Sequence, residues 1–101
     1  MEKKLNPAYC LFDNLDITDS KKIEEYKSKV LPIVEKYGGQ YRVIGGQLKI
    51  IEGSWNPKYL VMIEFPNFEQ ANHWYDSEDY KTLKNLRHSA GKYDGIIFEG
   101  L

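Results

Sequence analysis

A carboxylate beside a guanidinium can hold a polar ligand, and in a water-poor space the carboxylate can act as a general base. Glu64 and Arg42 are spaced for this, because the loop through Trp55, Asn56 and Pro57 should make their two segments neighbouring strands. The same side chains can equally form a cross-strand ion pair with no further role. Tyr80 and Arg87, seven residues apart, stand two turns along one helical face and can aim a phenol and a guanidinium at one opening. The ordinary alternative puts Tyr80 in the core and pairs Arg87 with an acid such as Glu78 or Asp94. Trp55, in a Gly/Asn/Pro loop, either lids a cavity or buries in a contact between subunits. Phe68, Ala71 and Trp74 or Tyr75 should pack on a sheet, which leaves His73 exposed; its ordinary pKa suits proton transfer, yet a lone exposed histidine usually has no role.

Several chemistries find no support. His73 and His88 lack metal-ligand spacing and Cys10 has no CxxC partner, so no zinc, iron–sulfur or other metal site is expected, and no motif implies a cofactor. Haem would have only those two histidines as nitrogen ligands. Gly38-Gly39 and Gly45-Gly46 lack the Gly-Lys-Ser/Thr ending of a phosphate loop, and there is no GxSxG. Fourteen Lys and Arg against fifteen Asp and Glu give a net charge of −1, which offers no general attraction to nucleic acid or anionic lipid. Residues 58–65 also lack the basic, glycine- and aromatic-rich signature of an RNA-recognition strand. No apolar run is long enough to span a membrane, and Met1-Glu2-Lys3-Lys4 leads into no signal-peptide core. A single cysteine excludes an internal disulfide and suits a reducing cytoplasm.

The elements that would position these residues fit one domain over the 101 residues, with 42% hydrophobic and 14% aromatic content to build one modest core. Ala8 to Phe12 reads as a strand. Asp19 or Ser20 should cap a helix whose inner face carries Ile23, Tyr26, Val30, Ile33 or Val34, and Tyr37. Pro32 should kink that helix and Gly38-Gly39 should end it. A strand over 40–44, a glycine interruption, an extended 48–51 stretch and a strand over 59–65 follow. Asn67 and Gln70 resemble a capping box opening a short helix, and a second short helix carries Tyr80, Leu83, Leu86 or Arg87, and Ala90 inward. Residues 93–99 form the last strand. The order β-α-β-β-α(α)-β is the ferredoxin-like α+β arrangement: a four-stranded antiparallel sheet with helices on one face.

Alternation within each strand gives two sets of side chains. The wholly apolar set, Ala8/Cys10/Phe12, Tyr41/Val43, Tyr59/Val61/Ile63/Phe65 and Ile96/Phe98, is assigned to the helix-covered face. The other set, Tyr9/Leu11/Asp13, Gln40/Arg42/Ile44, Leu60/Met62/Glu64 and Ile97/Glu99, would then lie on the open face. That face carries more apolar surface than a monomer usually leaves in water, which favours a homodimer built sheet against sheet over a monomer merely wetted by Arg42 and Glu64.

The segments Tyr37-Gly38-Gly39, Gly45-Gly46, Glu52-Gly53-Ser54-Trp55-Asn56-Pro57, Ile63-Glu64-Phe65-Pro66, Trp74-Tyr75-Asp76-Ser77-Glu78-Asp79-Tyr80, Leu86-Arg87 and Glu99-Gly100 occur in order from Tyr9 to Leu101. Together they resemble the Domain of Unknown Function 1330 family of the dimeric α/β-barrel superfamily. The resemblance implies a ferredoxin-like subunit whose sheet packs on a second subunit's sheet. It also implies pocket roles for Arg42, Trp55, Glu64, Trp74, Tyr75, Tyr80 and Arg87, the positions that match the family pattern and carry functional chemistry. Three readings remain open at this point. One is a small-molecule-binding homodimer of unassigned reaction. Another is a cofactor-independent monooxygenase- or isomerase-like enzyme acting on a planar or anionic substrate, with Glu64 as base and Arg42 or Arg87 holding an oxygen anion. The last is a non-catalytic ligand-binding or stress-related dimer.

Overall fold

The computed structural model describes residues 5–101, and the Met1-Glu2-Lys3-Lys4 stretch discussed above lies outside them. The elements run β1 Ala8–Ile17, α1 Ser20–Lys36, β2 Gln40–Ile44, β3 Leu60–Phe65, α2 Phe68–Asp76, α3 Glu78–Ser89 and β4 Gly91–Glu99. The sheet order is β2-β3-β1-β4 with every pair antiparallel, so β1 and β3 are central and β2 and β4 form the edges. This is the expected ferredoxin-like α+β fold.

Local chemistry sets the helix ends. Asp19 caps α1 by accepting from the Lys22 N–H. Gly39 N–H reaches the Val34 carbonyl and Gly38 N–H the Glu35 carbonyl, which closes α1 with the paired bonds of a Schellman end. Gly38 supplies the left-handed φ of 84° that this end requires. Pro32 lies inside α1, which continues to Lys36. Asn67 caps α2 through the Gln70 N–H, whereas the Gln70 side chain donates to the Tyr37 carbonyl; the expected reciprocal box is therefore only half formed. Ser77 ends α2 and caps α3 at once: its hydroxyl donates to the Trp74 carbonyl and accepts from the Tyr80 N–H.

The core lies between the sheet and the three helices. Trp74, Tyr80, Phe65, Ile63, Val34 and Cys10 are its largest fully buried side chains. The Trp74 ring centroid is 4.4 Å from that of Tyr80 and 5.4 Å from that of Phe65. Phe68, expected against the sheet, is instead exposed.

Two strands depart from the expected faces. On β4, Cys10 pairs with Ile97 and Phe12 with Gly95, so Gly95, Ile97 and Glu99 share the helix side while Ile96 and Phe98 face away from it. Gly95 takes an inward position because the Phe12 ring occupies the space a Cβ would need, 2.7 Å away. The apolar pair Ile96/Phe98 therefore misleads: alternation fixes the two sides of a strand, but only pairing decides which side is covered. On β2 the register shifts between Tyr41 and Val43, with Val43 opposite Met62 and Ile44 opposite Val61. The extra residue turns Val43 outward and Ile44 inward, the reverse of the uninterrupted alternation. Residues 48–51, expected to be extended, belong to an unpaired loop over 45–59. The base of that loop is tied down. Gly45 N–H bonds the Leu60 carbonyl, and one carboxylate oxygen of Asp13 accepts from both the Lys58 and Tyr59 N–H groups.

A cleft beneath the first helix as candidate functional site

The alternation that buries the core also leaves a cleft of about 370 Å³ where α1 overhangs the β2-β3 side of the sheet. Its floor is Phe12, Tyr41, Val61 and Ile63 from the sheet, and its roof is Ile23, Tyr26 and Val30 from α1. Tyr59 enters from the end of the 45–59 loop, with its ring packed where Gly45 has no side chain. Arg87 from α3 and Tyr93 from β4 close the far wall.

Arg87 is a cation driven into this wall. It is only 6% exposed, its guanidinium carbon lies 3.8 Å from the Tyr93 ring centroid and 4.7 Å from that of Phe12, and its Nη2 is buried without a hydrogen-bond partner. None of the four ion pairs among the described residues includes it. Two aromatic faces offset part of the cost of burying this charge, but a buried donor without an acceptor remains unfavourable. The wall thus encloses a donor without an acceptor, which an anionic or strongly accepting oxygen reaches only when a neighbouring side chain moves.

Asn14 and Lys27 also line the cleft, and the remaining polar groups are phenols. Burial raises the pKa values of Tyr26, Tyr41 and Tyr93 above the ordinary phenol range, although Arg87 pulls each partly back. The Tyr26 and Tyr80 hydroxyls share a 2.7 Å hydrogen bond, and the Tyr80 phenol is pushed up to about 12 by burial. These groups stay protonated at neutral pH and serve as donors or hydrogen-bond relays. Among the described residues lining the cleft, none is a carboxylate or an imidazole.

A second cleft of about 260 Å³ lies on the other side of the same wall, bounded by Tyr75, His88, Asp94, Gly95 and Ile97 and sharing Phe12, Arg87 and Tyr93 with the first. The His88 pKa is lowered, first by desolvation and then by the positive charges of Arg87 and Lys84.

The seven residues singled out from the sequence are dispersed. Arg87 lines both clefts, and Tyr75 lines the smaller one with Lys84 Nζ 4.3 Å from its ring centroid. Tyr80 and Trp74 are wholly buried in the core, and Tyr80 touches the larger cleft only through Tyr26. Arg42 and Glu64 meet at 3.2 Å, but on the uncovered side of the sheet. Trp55 is 57% exposed in the 45–59 loop. His73 is exposed on α2 and faces Gln70 at 3.4 Å. Sequence reasoning passed over Tyr26, Tyr41, Tyr59 and Tyr93 as site residues. Their only advance signal was a count of eight tyrosines in 101 residues. No group of three or more His, Cys, Asp or Glu among the described residues is arranged to hold a metal ion.

Fold and cleft together define a ferredoxin-like α+β domain. The chain belongs to the family described as "Domain of unknown function (DUF1330)", which matches residues 7–101. No curated protein matches the sequence. Among solved structures, RPA0582, a protein of unknown function from Rhodopseudomonas palustris, is similar at 15% identity and a TM-score of 0.74, over 98% of this chain and 85% of that one. SnoaB, a cofactor-independent oxygenase from Streptomyces nogalater, is 5% identical with a TM-score of 0.69, over 95% of this chain and 94% of its own. A hypothetical Arabidopsis thaliana protein is 14% identical with a TM-score of 0.70, over 100% and 94%. At these identities the likeness is one of fold.

Proposed function

We propose that this protein is a cytoplasmic homodimer that binds a flat, largely apolar small molecule bearing an anionic oxygen, with the cleft beneath α1 as the site and Arg87 as the anchor. The buried, unpartnered Nη2 of Arg87 carries this reading. Tyr26, Tyr41 and Phe12 supply apolar ring surface for a planar ligand, and the volume suits a small one. In the homodimer the partner copy covers the sheet face that carries Tyr9, Leu11, Val43, Leu60, Met62, Ile96 and Phe98, and the Arg42–Glu64 pair belongs to that contact.

Calorimetric titration with 2-naphthoate tests the site. The wild type binds it, and Arg87→Met, checked for folding by circular dichroism, weakens binding by about tenfold or more, the loss expected for a buried charge-assisted hydrogen bond. Equal affinity in the two proteins would refute the anchor.

An oxygenase function of the kind named for SnoaB is the second reading, favoured by the shared fold and a mostly apolar cleft. With no carboxylate or imidazole among the described lining residues, it requires a substrate acidic enough to ionise by itself, which Arg87 would then hold as its anion. Oxygen consumption with electron-rich polyphenols tests it, and its absence across such a panel leaves only the binding function.

A further inference from the structure

We infer that the two clefts are halves of one bipartite site, and that its ligand is an anion with an apolar lobe on each side of the charged group. This rests on the anchoring role proposed for Arg87 and adds the shape of the ligand.

Three residues are common to the linings of the two clefts. Phe12, Arg87 and Tyr93 line both cavities and form the partition between them. The guanidinium is sandwiched between the two rings, at 4.7 Å from the Phe12 centroid and 3.8 Å from the Tyr93 centroid. Because Arg87 lines both clefts, a carboxylate that pairs with its guanidinium once the partition yields would sit between the two cavities, with apolar groups extending into each. At about 260 Å³ the smaller cleft falls below the usual size of a small-molecule site, and the larger, at about 370 Å³, is near the lower limit. Taken together they are of ordinary size.

Tyr93 is the side of the partition that can give way. It lies on edge strand β4, its hydroxyl is buried without a hydrogen-bond partner, and it projects over Gly91, where a Cβ would stand 2.9 Å from that oxygen. Stacking on Arg87 holds the ring, and no directional bond fixes it. The lobes also differ in character. Tyr26, Tyr41 and Tyr59 surround the larger cleft with rings and phenols, whereas His88 and Asp94 stand beside the smaller one and would suit a lobe carrying a hydroxyl or amine at its tip.

The test compares phenylacetate, one ring on a carboxylate, with diphenylacetate, two rings flanking the same carboxylate, using isoleucine-methyl NMR of the wild-type protein. Ile23 lines only the larger cleft and Ile97 only the smaller, so they report the two halves separately. Diphenylacetate is expected to shift both methyl signals with a single Kd, and to bind about tenfold or more tightly than phenylacetate because a second ring is buried. In His88→Trp, where an exposed helix position fills the smaller cleft, that advantage should shrink to about twofold or less. Shifts confined to Ile23, or two sets of shifts with separate Kd values, would overturn the bipartite site while leaving the Arg87 anchor intact. If neither anion moves either signal, the anchor and the bipartite site both fall.

Discussion

Arg87 shows how a single side chain acquires chemical meaning from its surroundings. On a bare helix it would be one more solvated cation; stacked between Phe12 and Tyr93 with a donor unpaired, it becomes a standing demand for an acceptor. Cys10 is the opposite case, a reactive group silenced by position. Burial pushes its thiol from its ordinary value of 9.0 up to about 12, and burial likewise raises Tyr80 from 10.0 to about 12. In both, the unfolded chain loses its proton first, so the stability these groups contribute is intact below pH 9 and is lost as pH climbs from 9 towards 12. Urea midpoints measured between pH 8 and 11 should fall, with Cys10 accounting for at most about 1.4 kcal/mol per pH unit. Cys10→Ala should flatten the early part of that decline. A midpoint unchanged up to pH 11 would contradict the burial of these groups as ionisable protons.

At the scale of elements, short polar devices hold the apolar layers in register. Asp13 is 3% exposed at the point where β3 leaves β1, and its carboxylate accepts two N–H groups from the end of the 45–59 loop. Asp13→Ala should cost about 1–3 kcal/mol in urea unfolding, because two buried amides lose their acceptor. Asp13→Asn, which keeps one oxygen acceptor, should cost less, and faster hydrogen exchange at the Tyr59 amide should accompany the alanine variant. Gly39 is a steric device at the α1–β2 junction: a Cβ there would meet Val34 at 2.6 Å and Phe65 at 2.8 Å, both buried. Gly39→Ala is therefore expected to lose about 1–3 kcal/mol through overpacking, read from the same unfolding curves. The Arg42–Glu64 pair contrasts with both. Its partners are 48% and 33% exposed, so in a lone subunit it should contribute less than about 1 kcal/mol.

At the scale of the whole molecule, the single chain is spread thinner than its size requires. Its accessible surface is 7198 Å², against roughly 5,900 Å² from the size scaling. Its radius of gyration is 14.4 Å, against about 13 Å for a compact chain of this length. The excess is consistent with a sheet left bare on one side and a 45–59 loop that exposes Leu48, Ile50, Ile51 and Trp55. Light scattering after gel filtration should give twice the 11.8 kDa chain mass. Ile96→Glu places a carboxylate on the edge strand of the bare face and should return the mass to 11.8 kDa while the fold persists. A wild type that elutes at the single-chain mass would remove the homodimer.

The element order, a helix cap at Asp19 or Ser20, the end of α1 at Gly38-Gly39 and the family segments were legible in the chain, because capping, glycine conformation and helical spacing are written within a few residues of where they act. The phases of β2 and β4 and the cleft were not. Whether Ile96 or Ile97 faces the helices depends on pairing with Cys10 and Leu11, more than eighty residues away, and the single-residue bulge in β2 that turns Val43 outward has no local marker. Glu64 and Arg42 were correctly read as neighbours, since one loop joins their strands, and they lie on the open face to which alternation assigned them. Nothing near Tyr93 in the sequence announces that it will stack on Arg87, because that contact forms only when an edge strand and the third helix close on the same ring of Phe12. Local covalent geometry determines elements and their ends; which side chains meet across them is a property of the packed layers alone.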